Sequence, residues 1–427
     1  MYRVWNFLTS YSLLLIFGAI IALFWANLDL IMPVAGDPHY YFNLYHHMVD
    51  FHLWEDAPIG ALKDGMRTLT PHYLINDLLM ALFFAIAGKE VWEAVALKSG
   101  SLRGKKAVTP LIATVGGMVG PIAVYLGIAY FLGSTTFDAV ANGWAVPTAT
   151  DIAFSYLIGR MVFGAGHPAV RFLLLLAIAD DAIGLVILAI FYPSSELAPY
   201  WIFVSAGAAI LVYVLANRLP RRMDRGNEAR PYSTWMRKYA TFWPYLLAGC
   251  ISWYAFMRSG IHPALGLLFI VPTIPHADRA YGIFSAAEVH LKDMLNTIEH
   301  GLKHPVEIVL FFFGLFNAGV QFSAMGEATW LVLAGLLIGK PLGIFVFGWL
   351  GAHPMGFGLP EGMKTSDLFV LGCVAAIGFT VALFVASVAF PAGDVQDAAK
   401  MGALFSFAAA GVSLIVGILF RVEKKSN

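Results

Sequence analysis

Charge is what this 427-residue chain has least of. Only 13% of its residues are Asp, Glu, Lys or Arg, against roughly 25% in a soluble domain. So few charges cannot cover a water-facing surface, and with 59% hydrophobic residues and a mean hydropathy of +0.73 the chain reads as a polytopic membrane protein. Formal net charge is zero, which argues against nucleic acid as a partner. Cysteine is nearly absent: Cys250 and Cys373 both lie in apolar segments, so no disulfide framework is expected. A signal-peptide cleavage site is missing too. The first apolar stretch therefore reads as a retained span.

What is abundant is apolar runs of membrane-crossing length. At about 20 residues per helical crossing, twelve spans are expected, near 11–32, 73–96, 108–132, 144–162, 170–192, 199–217, 240–257, 261–275, 304–323, 329–351, 367–390 and 400–421. The seventh and eighth are separated only by Arg258-Ser259-Gly260, and the eighth is short. Cytoplasmic loops are enriched in Lys and Arg. An inside N-terminus puts most of the 27 basic residues in the cytoplasm, leaving four outside and Lys340 within a span. The inside set includes Lys98 to Lys106 and the basic loop 218–238, whereas Asp50, Glu55, Asp56 and Asp64 lie outside. Both termini are then cytoplasmic. The long outer loop 33–71 is amphipathic around Tyr40 to Trp54, fit to lie at the membrane interface or to pair with a second copy in a homodimer. An ordinary solvated loop is the alternative.

Against this background a few charges stand at membrane depth. Asp180 and Asp181 lie near the middle of the run from Val170 to Tyr192. A carboxylate at mid-depth costs about 2.5–3.5 kcal/mol on insertion scales, so each needs a reason. Consecutive helical residues differ by about 100° in direction, and the two aspartates should have separate roles. Lys340 lies too deep in its span to snorkel, and its expected compensation is one of the aspartates. A bridge that only orients helices would look the same in sequence. Asp151, after Thr150, is a further intramembrane acid that could equally cap a helix. Three carboxylates against one lysine leave a surplus negative potential that a transported cation or proton would neutralise.

Two spans are interrupted in sequence. Trp144-Ala145-Val146-Pro147-Thr148-Ala149-Thr150-Asp151 sets a proline, which removes a backbone donor, beside threonines whose hydroxyls can satisfy freed groups. Leu371-Gly372-Cys373-Val374-Ala375-Ala376-Ile377-Gly378-Phe379-Thr380 brings two glycines and no charge, suited to a second break or to close helix packing. Each follows a glycine-rich span, Gly116-Gly117-Met118-Val119-Gly120-Pro121 and Gly339-Lys340-Pro341-Leu342-Gly343, running in opposite directions. That is the pattern of an inverted-topology repeat whose broken helices cross at the midplane. The expected fold is thus one all-α transporter domain over 1–427, with core repeats at about 108–192 and 329–421.

The stretch from Trp144 to Phe154, Ala177-Ile178-Ala179-Asp180-Asp181, Phe316-Asn317-Ala318-Gly319-Val320, Gly335 to Gly343 and Gly378-Phe379-Thr380 together closely resemble the signatures of NhaA-type bacterial Na+/H+ antiporters, a family built on inverted repeats. They span about Leu74 to Phe390 in order. The resemblance implies an electrogenic exchanger of the bacterial cytoplasmic (inner) membrane that exports Na+ or Li+ for inward protons, with no cofactor. It implies cation and proton binding at Asp181 and Asp151 with Thr150, and pairing of Asp180 with Lys340. Asp77 resembles an acid near the outer end of helix two, or is an ordinary helix-end polar group. Glu299, His300 and His304 match the family's pH-sensing region, or belong to a solvated connecting segment, and the family's acid at the inner end of helix two is retained as Glu90, a further pH-sensing candidate. The family's basic pair in the Leu-Glu-Val-Lys-Arg-Glu-Leu stretch is missing from Lys89-Glu90-Val91-Trp92-Glu93-Ala94.

The residues alone suggest the same competition. Burial and a like-charged neighbour favour a neutral carboxyl, and Na+, a hard cation, takes oxygen ligands, so proton and ion contend for one charge. Rival readings fit less well. A sodium-coupled symporter needs extra polar groups for its solute, an intramembrane aspartyl protease needs a Gly-x-Gly-Asp context, and a prenyltransferase needs Asp-Asp-x-x-Asp, where this chain has Gly184. A channel stays open as an alternative at this stage. The chain does not read as an enzyme.

Overall fold

The computed structural model describes residues 13–63, 66–97, 100–102, 104, 107–276 and 293–425. Asp64 and the basic residues Lys98, Arg103, Lys105 and Lys106 lie outside them. Among the described residues the regular structure is helical, apart from one hairpin of β1 (Ala61–Lys63) and β2 (Met66–Thr68) and two isolated bridges in the outer loop. In chain order the main helices are α1 (Leu13–Ala26), α2 (Tyr40–Val49), α3 (Met80–Ala96), α4 (Val108–Leu132), α5 (Ile152–Phe163), α6 (Pro168–Phe191), α7 (Tyr200–Met223), α8 (Trp243–Ser259), α9 (Met294–Asn317), α10 (Glu327–Ala352), α11 (Thr365–Ala375), α12 (Phe379–Ala389) and α13 (Asp394–Leu419). Among the described residues α4, α6, α7, α10 and α13 are each long and apolar enough to cross a membrane. The pair α11 and α12, bent by 53°, makes a sixth such span.

The segment 261–275, expected as a span, is instead a string of short turns around Pro263–Leu265 and Val271–Thr273. Its three prolines, Pro263, Pro272 and Pro275, and Gly266 lie too close together for a regular helix to persist. In the outer loop, the amphipathic stretch is helical only to Val49, where Asp50 closes α2.

Local chemistry explains how the remaining helices begin and bend. His167 caps α6, its Nδ1 accepting from the Ala169 amide at 3.1 Å, and Pro168 fills the first position, where no amide partner is lost. The helix is 24 residues long in all and carries Asp180 and Asp181 near its middle. Pro341 cannot donate, and the preceding turn of α10, Gly335–Gly339, is widened to i→i+5 bonding just before Lys340.

Glycines set the closest contact between helices. A Cβ on Gly116 or Gly120 of α4, or on Gly339 or Gly343 of α10, would overlap backbone of the other helix. The two helices therefore meet backbone to backbone, as small residues permit. This contact draws Lys340 inward, to a site with no exposed surface.

Both expected breaks are present. The 3-10 segment Ala141–Thr148 gives way to extended backbone at Ala149, and α5 starts after Asp151. Between α11 and α12 the chain unwinds at Ala376 to Gly378. The two breaks touch: the Asp151 amide donates to Ile377 O at 2.7 Å. Phe154, Phe379 and Phe407 pack around the junction, with the Phe379 and Phe407 ring centroids 4.3 Å apart. Apolar rings on one side and hydrogen bonds on the other hold the interrupted backbone in place.

Candidate ion site

Unwound backbone leaves helix ends with unsatisfied groups, and at this junction side chains satisfy them in two sets. The carbonyls ending α11 are met from the first broken span: Ser155 Oγ donates to Val374 O at 3.1 Å, Thr150 Oγ1 lies 3.2 Å from Ala375 O, and the Asp151 amide takes Ile377 O. The amides that begin α5 and α12 both turn to Asp151. Its Oδ1 accepts from the Phe154 amide at 3.2 Å, and its Oδ2 from the Thr380 amide at 3.3 Å and from the Thr380 hydroxyl. One buried carboxylate thus faces the positive ends of two half-helices, the end at which a negative charge is stabilised.

Asp180 and Lys340 form the second feature. Lys340 Nζ donates to Asp180 Oδ2 at 2.8 Å and also to the Thr148 carbonyl freed by the first break. Thr150 Oγ1 donates to the same Oδ2 at 2.6 Å. Asp180 Oδ1 is buried without a hydrogen-bond partner among the described residues. A charge pair in this setting needs its remaining lone pairs satisfied to offset desolvation, so the open Oδ1 is a place for a polar guest.

Asp181, a third of a turn on, points elsewhere. It is half-buried and lines a cavity together with Asp180, Thr148, Phe84, Val381 and Val385. No described residue donates a hydrogen bond to it. Of the residues expected to bind the cation together, then, Asp181 faces the cavity, Thr150 is engaged with Asp180, and Asp151 is engaged with Thr380 behind the cavity wall. The arrangement can accept one cation or one proton at Asp181 without breaking an internal bond.

The sequence comparisons agree on what surrounds this site. A family model described as Na+/H+ antiporter 1 matches residues 3–420. The chain belongs to the Na+/H+ antiporter 1 family. It is 74% identical, over the full length of both chains, to a Na(+)/H(+) antiporter NhaA of Jannaschia sp. (strain CCS1). It is 42% identical to one from Geobacter sulfurreducens, covering 98% of each chain. The solved antiporter MjNhaP1 of Methanocaldococcus jannaschii aligns over 96% of this chain and 90% of its own at 15% identity and a TM-score of 0.43, too distant to bear on the fold. Membership in the Na+/H+ antiporter 1 family makes this a multi-pass membrane transporter rather than a member of an enzyme family.

A second cluster of charge lies at the far end of α3 in this family member. Lys89 Nζ lies 2.7 Å from Glu299 Oε2, 3.0 Å from Glu93 Oε2 and 3.4 Å from Glu90 Oε1, all of them buried. Lys89, one residue before Glu90, is the positive charge these carboxylates share. His300 is half-buried and His304 exposed further along α9. Just before α3, Asp77 Oδ1 stands 3.7 Å from His262 Nε2.

Sequence reasoning missed two of these residues as site components. Thr380 had a usable signal: a hydroxyl residue at membrane depth beside a glycine break needs an acceptor for its hydrogen, here the Asp151 carboxylate. Lys89 had one as well, since a lysine four residues before Glu93 on a helix reaches it at i,i+4. The Glu299 partner comes from 210 positions away, and spacing cannot reveal it.

Proposed function

We propose that the protein exchanges Na+ or Li+ for protons across the bacterial inner membrane by alternating access. The observation that carries this reading is Asp181, a carboxylate facing a cavity with no internal donor, beside an Asp180 already committed to Lys340. Protonation and cation binding both neutralise Asp181 and therefore exclude each other. A proton arriving from outside releases the ion, and an ion arriving from the cytoplasm releases the proton. Asp151 and the carbonyls freed at the breaks complete an oxygen shell as the two repeats, 108–192 and 329–421, rock around the site. No cofactor takes part.

The topology on this reading keeps both termini in the cytoplasm, and the eighth of the twelve expected crossings, 261–275, is made by irregular turns rather than by a helix. Exchange on this reading is electrogenic, with proton and ion binding coupled across the buried network around Asp181. Regulation by pH is assigned to the Glu90, Glu93 and Glu299 carboxylates gathered on Lys89, with His300 and His304 adjoining. The cavity wall is apolar apart from the aspartates and Thr148, which favours an ion over an organic solute as cargo.

The test is reconstitution in liposomes with an internal pH dye. Adding Na+ or Li+, but not choline, should collapse an imposed proton gradient, and a potential-sensitive dye should respond in the same vesicles. Sodium-independent collapse of the gradient is incompatible with exchange. The same assay across about pH 6 to 9 should show a displaced profile for Glu299→Gln, and an unchanged profile would remove this cluster from regulation.

A further inference from the structure

The cavity that Asp181 faces is walled by α12 through Val381 and Val385, and Thr380 is the residue immediately before Val381. Neighbouring helical residues are about 100° apart. Thr380 consequently points away from the cavity and onto Asp151, which does not line the cavity either. Both residues are buried, at 4% and 5% exposure. In this state Asp151 Oδ2 has its acceptor positions filled by the hydroxyl and the amide of one threonine.

We infer that Thr380 is a positioning residue that withholds Asp151 from the cation. Its hydroxyl stands in for the ion at Oδ2, and Asp151 joins Asp181 only when that hydroxyl turns away. The chemistry suits the role, because a hydroxyl is both donor and acceptor. With its hydrogen on Oδ2 it satisfies the carboxylate. When the same O–H rotates away, it removes the donor and leaves Oδ2 of Asp151 open, a ligand of the type a hard cation takes. A modest turn of α12 about its axis would carry the Thr380 hydroxyl off Oδ2 and free Asp151 to reach the cavity. The break at Ala376 to Gly378 gives α12 the freedom to turn independently of α11. Asp180 needs no such device, since Lys340 holds it throughout.

This inference rests on the reading that Asp151 contributes to cation binding, and the experiment separates the two. Na+ dependence of exchange is measured in liposomes for Thr380→Val, Thr380→Ser, Asp151→Asn and the double variant Asp151→Asn/Thr380→Val. Valine keeps the branched shape and the backbone amide while deleting the hydroxyl. A hydrogen bond to a charged group opposes ion binding strongly enough that Thr380→Val should lower the KM for Na+ about tenfold, with a smaller change in maximal rate. Thr380→Ser should restore the original KM, and in the Asp151→Asn background Thr380→Val should change nothing further. A Thr380→Val KM that is unchanged or raised, while Asp151→Asn raises it, overturns the role of Thr380. An Asp151→Asn KM equal to wild type overturns the reading of Asp151 beneath it. If the Thr380→Val protein does not fold, Thr380→Cys, which keeps only a weak donor, should still lower the KM, and an unchanged value there overturns the inference equally.

Discussion

A lysine with no exposed surface persists at membrane depth only where its charge is answered, and Lys340 is answered by Asp180 Oδ2 and the Thr148 carbonyl. Deleting one partner leaves the other buried and uncompensated, a loss of about 3–5 kcal/mol. Asp180→Asn or Lys340→Met should therefore lower the apparent melting temperature in detergent sharply. The joint variant Asp180→Asn/Lys340→Met should recover most of the loss. Additive losses in the double variant would mean that the two side chains are held independently. At this scale the sequence was most legible where burial is costly. Asp151, Asp180, Asp181 and Lys340 each stood out because an apolar span has no other use for them. Thr380 and Thr150 did not stand out by cost, since a hydroxyl can return its hydrogen bond to nearby backbone. Which carboxylate each one would serve depends on contacts 30 and 229 residues apart in sequence.

Among the elements, the interrupted helices were readable from Pro147 and from the glycines at 372 and 378. The string of turns at 261–275 was not, because hydropathy records apolar length and is blind to what three prolines do to backbone bonding. Helix starts carry a pH consequence. His167 caps α6 through Nδ1, so its proton sits on Nε2, which lies 3.8 Å from Asp367 Oδ2. Asp367 in turn closes the start of α11 by accepting from the Lys364 amide at 2.7 Å. Burial holds the His167 imidazole below its ordinary range, opposed by Asp367, with Lys425, Glu423 and Lys364 as the other charges around it. The native state therefore takes up its proton at lower pH than the unfolded chain does. Its stabilising contribution is complete above about pH 6.5 and is lost as the pH falls from there through the native value. His167→Asn keeps a capping side chain without the titration, so melting temperature should depend less on pH between about 6.5 and 5. An identical pH slope in wild type and variant would show that the cap does not titrate in this range.

Over the whole molecule, two glycine-lined helices, α4 and α10, meet backbone to backbone, and each is followed by a broken helix that meets the other at its break. The charges sit where these four segments converge. That convergence divides the labour among the acids. Asp151 balances the half-helix ends, Asp180 neutralises Lys340, and Asp181 is left to the cavity. The central claim is that sodium and a proton compete for that last carboxylate. It is tested most directly by adding Na+ to the purified protein in weakly buffered detergent solution and recording the pH. The account predicts that Na+ releases protons from the wild-type protein, that K+ and choline do not, and that Asp181→Asn releases none. Proton release of wild-type size from the Asp181→Asn protein would contradict it.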